Sequence, residues 1–329
     1  MRISGFGRCA LSSCVAVAIL AGCSVLPLSL SKGQDDMQPP IGAPGTTPQS
    51  RTIARGQVSH RSWVDAGAAR GALLYVSDTV ANSVSIYSYP RLKLMGKLFG
   101  IHNPGGLCVD PRTNAVWVVS EEGGRVVEFA HGGAIRIRTL KISAGFIQAC
   151  AVDASGNLAV VTFNEYDDPG GLLIFKNARG KPTFYQSRKM FFYSFAGYDN
   201  RGNVFVDGSP YATLLELPAG GTKLKNVTPN GLQLSSPGAV QYDGADLAVG
   251  DQKTGIIYRV SGTKIAGTTQ LNGTCFVQQF FVDTESDVVI APNVCSGKGD
   301  VLIYDYPAGG TATRRITGFT DPFAAVVSR

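Results

Sequence analysis

The chain has 329 residues, of which 44% are apolar and 16% charged, with 40 glycines, 17 prolines and a formal charge of +6. That apolar content excludes an intrinsically disordered chain, and glycine does not recur at every third position, which excludes a collagen-like one. Length alone suggests two domains, although all-β architectures run past about 200 residues as a single unit.

Met1 to Arg8 carries two arginines and no acid, and Cys9 to Leu20 is uncharged. The uncharged run is shorter than the roughly 20 apolar residues that span a bilayer, so it reads as the apolar region of a signal peptide. Leu20-Ala21-Gly22-Cys23 follows it directly and resembles the lipobox of bacterial lipoproteins. The resemblance implies cleavage before Cys23, a diacylglyceryl group on its thiol, and a mature chain anchored to a membrane without spanning it. Ser24, where an aspartate would retain the protein at the inner membrane, implies the outer membrane if the cell is Gram-negative. An ordinary secretory signal that contains a cysteine is the alternative. Residues 1–22 are thus expected to be the signal. Residues 23–72, rich in Pro, Gly, Ser, Thr and Gln around QPPIGAPGTTPQ, are expected to be a flexible tether, because they bury too little apolar area to offset their ordering entropy.

Residues 73–329 repeat. A hexamer ending in Asp, or Ser in the last copy, begins at 105 (GGLCVD), 148 (QACAVD), 194 (SFAGYD), 238 (GAVQYD), 278 (QQFFVD) and 323 (FAAVVS). The intervals, 40 to 46 residues, are those of four-stranded propeller blades. A second strand follows the hexamers (AVWVV, NLAVV, NVFVD, DLAVG, DVVIA, matching LLYVS at 73–77), then a third such as SVSIYSY or DVLIYDY, and a more polar fourth. Alternating β-branched and aromatic residues make these strands. The expected fold is all-β, a six-bladed propeller of four-stranded blades. The chain enters on a second strand and leaves on an orphan first strand, so the C-terminal strand should complete blade one and close the ring. LLYVSDTVANSVSIYSYP, with LAVGD and GLCVD, resembles NHL-type and YVTN-type propeller repeats. That resemblance implies a binding or scaffold module more often than an enzyme.

Of seven cysteines, Cys9 and Cys14 fall in the signal and Cys23 at the lipobox. Export permits disulfides among the other four. If QQFFVD turns back through residues 284–286 with Asp283 opposite Asp287, Cys275 lies opposite Cys295 on the hairpin's extension, within reach of a bridge. Cys108 and Cys150 have opposite parity on adjacent first strands. Blade faces stack about 10 Å apart, so these two are expected to be core thiols.

Propellers bind ligands at the mouth of the axial channel. The gluconolactonase-like propeller resembles this chain in blade number and holds a divalent cation there with carboxylate and Asn side chains. The first strands here begin at Gly105, Gln148, Ser194, Gly238, Gln278 and Phe323. None is an acid or an Asn, so the mouth offers Gln148, Ser194 and Gln278 to a polar ligand but makes a poor cation cage. His102 in GIHNPGG could serve there as a general base, although a lone loop histidine is more often a surface residue. The second strands end in Asp78, Glu121, Asn164, Asp207, Asp251 and Asn293. For Asp78 and Asp251, capping of backbone amides in the following turn outweighs metal binding. The acidic loop Glu165 to Gly171 lacks the ligand spacing of a calcium site. No metal and no cofactor are therefore expected.

One segment stands apart. In YQSRKMFFYSF, residues 185–195, Arg188 and Lys189 adjoin Phe191, Phe192 and Tyr193; with Tyr166 and Tyr211 from neighbouring loops they form the expected contact surface for a protein, peptide or glycan. The leading reading is a membrane-anchored, extracytoplasmic binding or scaffold module of the cell envelope. A lactonase-type or lyase-type enzyme acting at the channel mouth is the alternative, and a purely structural envelope protein the third. The repeat region holds 23 basic and 21 acidic residues, with no charge block of the kind that binds nucleic acid.

Overall fold

The computed structural model describes residues 61–143, 145–163, 170–209 and 213–329. Cys23, Tyr166, Tyr211, Asn164 and the acidic side chains of the 165–168 loop lie outside them. Each repeat folds into one antiparallel sheet, and six sheets make the ring. Blade 1 takes Pro322–Ser328 as its inner strand, followed outward by Leu73–Asp78, Ser83–Ser88 and Leu94–Phe99. Blade 2 is Pro104–Val109, Val116–Ser120, Arg125–Phe129 and Arg136–Lys141; blade 3 is Phe146–Val152, Leu158–Phe163, Gly171–Phe175 and Thr183–Tyr185. Blade 4 is Phe192–Tyr198, Val204–Ser209, Thr213–Leu217 and Lys225–Asn226. Blade 5 is Pro237–Tyr242, Leu247–Asp251, Ile256–Ser261 and Lys264–Gln270, and blade 6 is Phe281–Asp283, Val288–Cys295, Lys298–Asp305 and Arg314–Phe319. Second strands are buried along nearly their whole length, because neighbouring blades cover them on both faces.

The aspartate that ends each hexamer has a local task. Asp153 Oδ1 accepts the N–H groups of Ser155 and Asn157, each at 2.8 Å, and Asp199 Oδ1 accepts those of Arg201 and Asn203, each at 2.9 Å. Asp110 and Asp243 do the same for the turns after them. Each carboxylate thereby replaces the partners that a tight turn takes from its own backbone.

The ring closes as the order of strands requires. Leu74 pairs with Val327 and Val76 with Ala325, while Gln279 N–H donates to Phe323 O and joins the inner strands of blades 6 and 1. Ser328 Oγ donates to Asn114 O in blade 2 and meets His131 Nδ1 at 2.7 Å. Arg329 forms ion pairs with Asp283 and Glu285 of blade 6.

Residues 61–72, expected in the tether, fold against blade 1. Trp63 and Val64 add a fifth strand outside it, opposite Lys97 and Gly96, and Ala68–Arg70 makes one 3-10 turn. Two residues are too few to show a strand period in sequence.

Two disulfides tie the structure. Cys275 and Cys295 are bridged with Cα atoms 5.3 Å apart. The ladder that suggested this pair is one residue away from the expected register, with Asp283 opposite Val288, and it ends at Phe281. The bridge forms beyond it, where Asn293 Oδ1 accepts the N–H of Cys275. Cys108 and Cys150 are also bridged, with Cα atoms 5.7 Å apart, which corrects the expectation of free thiols. The sheet-stacking distance of about 10 Å applies between parallel faces, whereas blades are wedges whose inner strands converge on the axis. A Cβ on Gly106 would sit 2.6 Å from the Cα of Ala149, so adjacent inner backbones nearly touch there.

The closed segments span 42 and 20 residues, so chain-entropy bookkeeping gives about 4 and about 3 kcal/mol. Serine at both 108 and 150 is expected to cost more stability in urea titration than serine at both 275 and 295. Equal midpoints for wild type and the 108/150 variant would contradict the cross-blade tie.

Candidate functional site

At the upper end of the ring, where inner strands begin, the polar residues ending the second strands hold the loops that feed those inner strands. Asp78 accepts the N–H groups of Thr320 at 2.8 Å, Asp321 at 3.1 Å and, in its own turn, Ala81 at 2.9 Å. Asp251 accepts those of Ser235, Ser236 and Lys253, and Asn293 those of Cys275 and Phe276. Their oxygens are occupied by backbone. Among the described residues no group of three or more His, Cys, Asp or Glu is arranged to hold a metal.

Two acids of this ring are unusual. Asp207 is fully buried; Oδ1 accepts the N–H of Phe195 at 2.9 Å, and Oδ2 has no hydrogen-bond partner among the described residues. Burial pushes its carboxyl well above the ordinary range. Glu121 packs into the space that Gly105 leaves open, its Oε1 2.3 Å from where a Cβ would stand, and its Oε2 accepts from Asn103 Nδ2 at 3.0 Å. Burial, reinforced by the negative charges of Asp321 and Glu122, raises it to about 8. A neutral acid is the lower-energy form where desolvation and like charges act together.

The channel itself is interrupted. The rings of Phe195 in blade 4 and Phe323 in blade 1 meet across the axis with centroids 6.1 Å apart. Below them the Gln279 amide crosses from blade 6 to blade 2, accepting the N–H of Leu107 at 3.1 Å and donating to its carbonyl at 2.6 Å. A cavity of about 200 Å³ lies where the inner strands end, lined by Val109, Ala151, Gly197, Gln241, Phe281 and Val326 among others. Gln241 is also consumed, its side chain bonding both N–H and C=O of Val282. Of the expected mouth residues, Gln148, Ser194 and Gln278 are half-buried and His102 is exposed. The axis-crossing group is Gln279, one residue from the expected Gln278.

The aromatic segment divides at a β-bulge. Phe192 is exposed, Phe191 half-buried, and Arg188 and Lys189 are exposed with no ion pair among the described residues. Tyr193 is fully buried, so it leaves the expected contact surface. The ladder shifts between Tyr193 and Phe195, which turns both rings into the core. The Tyr193 hydroxyl accepts the N–H of Ser187 at 2.7 Å, and burial pushes it up to about 12. It fixes the loop that displays Arg188 and Lys189.

Two further phenylalanines, Phe146 and Phe163, lie on the face of blade 3 turned toward this segment, and Phe184 lies on the other face with Leu173. Phe146 and Phe163, cross-strand partners in blade 3, stack at 5.5 Å, and Phe191 and Phe192 meet edge-to-face at 5.1 Å. Phe184 lies over the bare backbone of Gly171, and Gly170 N–H donates to Phe191 O, linking blade 3 to blade 4. Phe146, Phe184 and Phe192 are 43%, 45% and 40% exposed.

No protein-family model matches the chain, and no curated protein matches it significantly. Solved structures do. A chain from the crystal structure of a nidogen/laminin complex superposes with a TM-score of 0.64 at 12% identity, over 79% of this chain and 99% of that one. A protein of unknown function from Bacteroides caccae gives 0.60 at 14% identity, with the same coverage. At such identities the likeness establishes the six-bladed propeller fold.

Glu121 yields a pH test. In the unfolded chain it ionises near its ordinary value of 4.5, and in the fold only near about 8. Its neutral form therefore favours folding fully below about pH 4.5, and that contribution is lost as pH rises toward about 8. Glu121→Gln is expected to leave the thermal midpoint unchanged at pH 4 and raise it at pH 8. An equal shift at both pH values would contradict a buried neutral carboxyl.

Proposed function

We propose that this protein is an extracytoplasmic binding module, anchored by a lipid on Cys23, that engages a protein partner through the aromatic and basic surface over blades 3 and 4. The observation that carries the reading is the stacked pair Phe146 and Phe163 and the edge-to-face pair Phe191 and Phe192, joined across blades 3 and 4 through Gly170, with exposed Arg188 and Lys189 that have no ion pair among the described residues. Aromatic and cationic side chains of this kind dominate binding energy at protein interfaces. The partner segment suited to it carries apolar side chains flanked by acids. Two disulfides agree with an oxidising compartment, and the sequence before Cys23 supports export and anchoring. A structural neighbour comes from a nidogen/laminin complex, which supports protein binding as a use of this fold. The phenyl rings that meet across the axis weigh against an enzyme working at the channel mouth.

A photo-crosslinking residue at position 192, in cells with an intact envelope, should attach to one protein species, whereas the same residue at 201 should not. Adding Phe146→Ser and Phe163→Ser should lower the yield at least tenfold with the melting midpoint unchanged. Tyr193→Ala, by contrast, should cost about 3–5 kcal/mol of stability. Unchanged yield in the double variant, or attachment to a polysaccharide, would contradict the reading.

A further inference from the structure

The outer edges of the blades are not equivalent. In blade 1 the edge is covered by the chain's own segment: Val64 lies opposite Gly96, Trp63 opposite Lys97, and Asp65 N–H donates to Met95 O at 2.7 Å. The covered strand carries a bulge at Met95, and the added strand pairs just past it. Blade 2 repeats this geometry with no covering strand among the described residues. Its outer strand bulges at Ile137, between Arg136 opposite Phe129 and Arg138 opposite Glu128. Ile137 therefore matches Met95, and Arg138 and Thr139 match Gly96 and Lys97. Among the described residues, no backbone group from 135 to 139 bonds to anything but the neighbouring third strand.

This bare edge is unusually apolar. Ile135 is 83% and Ile137 55% exposed, whereas the outer strands of blades 5 and 6 expose no large apolar side chain. Those of blades 3 and 4 have only three and two residues. The edge is also one-signed. Arg136, Arg138 and Lys141 share the strand with no acid, and Lys141 stands opposite Arg125. Arg138 is turned onto the sheet, 3.0 Å from Glu128 Oε2 without hydrogen-bond geometry and 5.5 Å from the centre of the Trp117 ring. Arg136, whose guanidinium meets Gly100 O, Lys141 and Arg125 have no acidic partner among the described residues.

We propose that the blade 2 edge takes up an extended, acidic segment of a partner protein as a fifth strand, in the way blade 1 takes up residues 62–65. The ladder forms past the Ile137 bulge, against Arg138 and Thr139, with a partner N–H donating to Ile137 O. Apolar residues of the segment cover Ile135 and Ile137, and its acids answer Arg136, Lys141 and Arg125. Main-chain bonds supply the pairing, and the side chains supply the choice of partner. A second copy of this chain is the wrong occupant, because edge-to-edge pairing would set like charges opposite each other. This surface is separate from the aromatic one, and the inference does not rest on it.

The test uses the full chain with two probes, acetylated eight-residue peptides of alternating Glu-Val and of alternating Lys-Val. Fluorescence anisotropy should show binding of the Glu-Val peptide only, and hydrogen exchange at residues 137 to 141 should slow at least tenfold when it is present. Ile135→Ser with Ile137→Ser should weaken binding at least tenfold, and Arg136→Glu with Lys141→Glu should switch preference to the Lys-Val peptide. Phe192→Ser should change neither. Equal binding of both peptides, binding without exchange protection, or a dimer that protects the same amides would overturn the proposal.

Discussion

The structure depends on one pairing, that of Pro322–Ser328 with Leu73–Asp78. Blades are wedges, and a ring of wedges is stable only if the last one meets the first, since an open ring would expose two sheet faces and a strand edge. The last residues reinforce the seam on both sides. Ser328 reaches Asn114 and His131 in blade 2, and Arg329 reaches Asp283 and Glu285 in blade 6. The same convergence brings Gly106 against Ala149 and Gly197 against the carbonyl of Val240, and it carries Cys108 to Cys150.

The polar economy of the ring decides where function can sit. Carboxylates below the sheets close turns, and those above hold the loops that enter the inner strands. Asp78 and Asp251 are thereby spent on architecture, and Glu121 is neutral at neutral pH. Phenyl rings and a glutamine amide occupy the axis. The surfaces proposed for recognition lie off the axis: the phenylalanines where blades 3 and 4 meet, and the basic edge of blade 2, which no strand covers among the described residues.

Much of this was legible in the amino-acid sequence, and the places where it was not have physical reasons. The repeat spacing and the orphan last strand gave blade number and closure, because each blade must bury the same strands. Cys275 and Cys295 bridge although the hairpin register lies one residue from the one their spacing implies, because the contact lies beyond the ladder. Cys108 and Cys150 are bridged against the sequence expectation because the spacing of parallel sheets does not hold between wedges that converge on an axis. Tyr193 departs from Phe192 because a bulge resets the alternation of faces and leaves no mark in composition. Phe146 and Phe163 carry no mark in sequence that sets them apart from other strand residues; the pairing of blade 3 stacks them, and Gly170 links that edge to Phe191. The edge of blade 2 was readable in RIRTLK as a polar fourth strand, but its likeness to the covered edge of blade 1 needs the bulge positions.

The most direct measurement is made on the seam. A chain ending at Asp321 lacks the inner strand of blade 1, and it should lose cooperative unfolding in urea. A synthetic peptide of residues 322–329 added in trans should restore a single transition whose midpoint rises with peptide concentration, since a ligand of the folded state stabilises by mass action. A truncated chain that unfolds cooperatively at the full-length midpoint without peptide would contradict closure of the ring by its last strand.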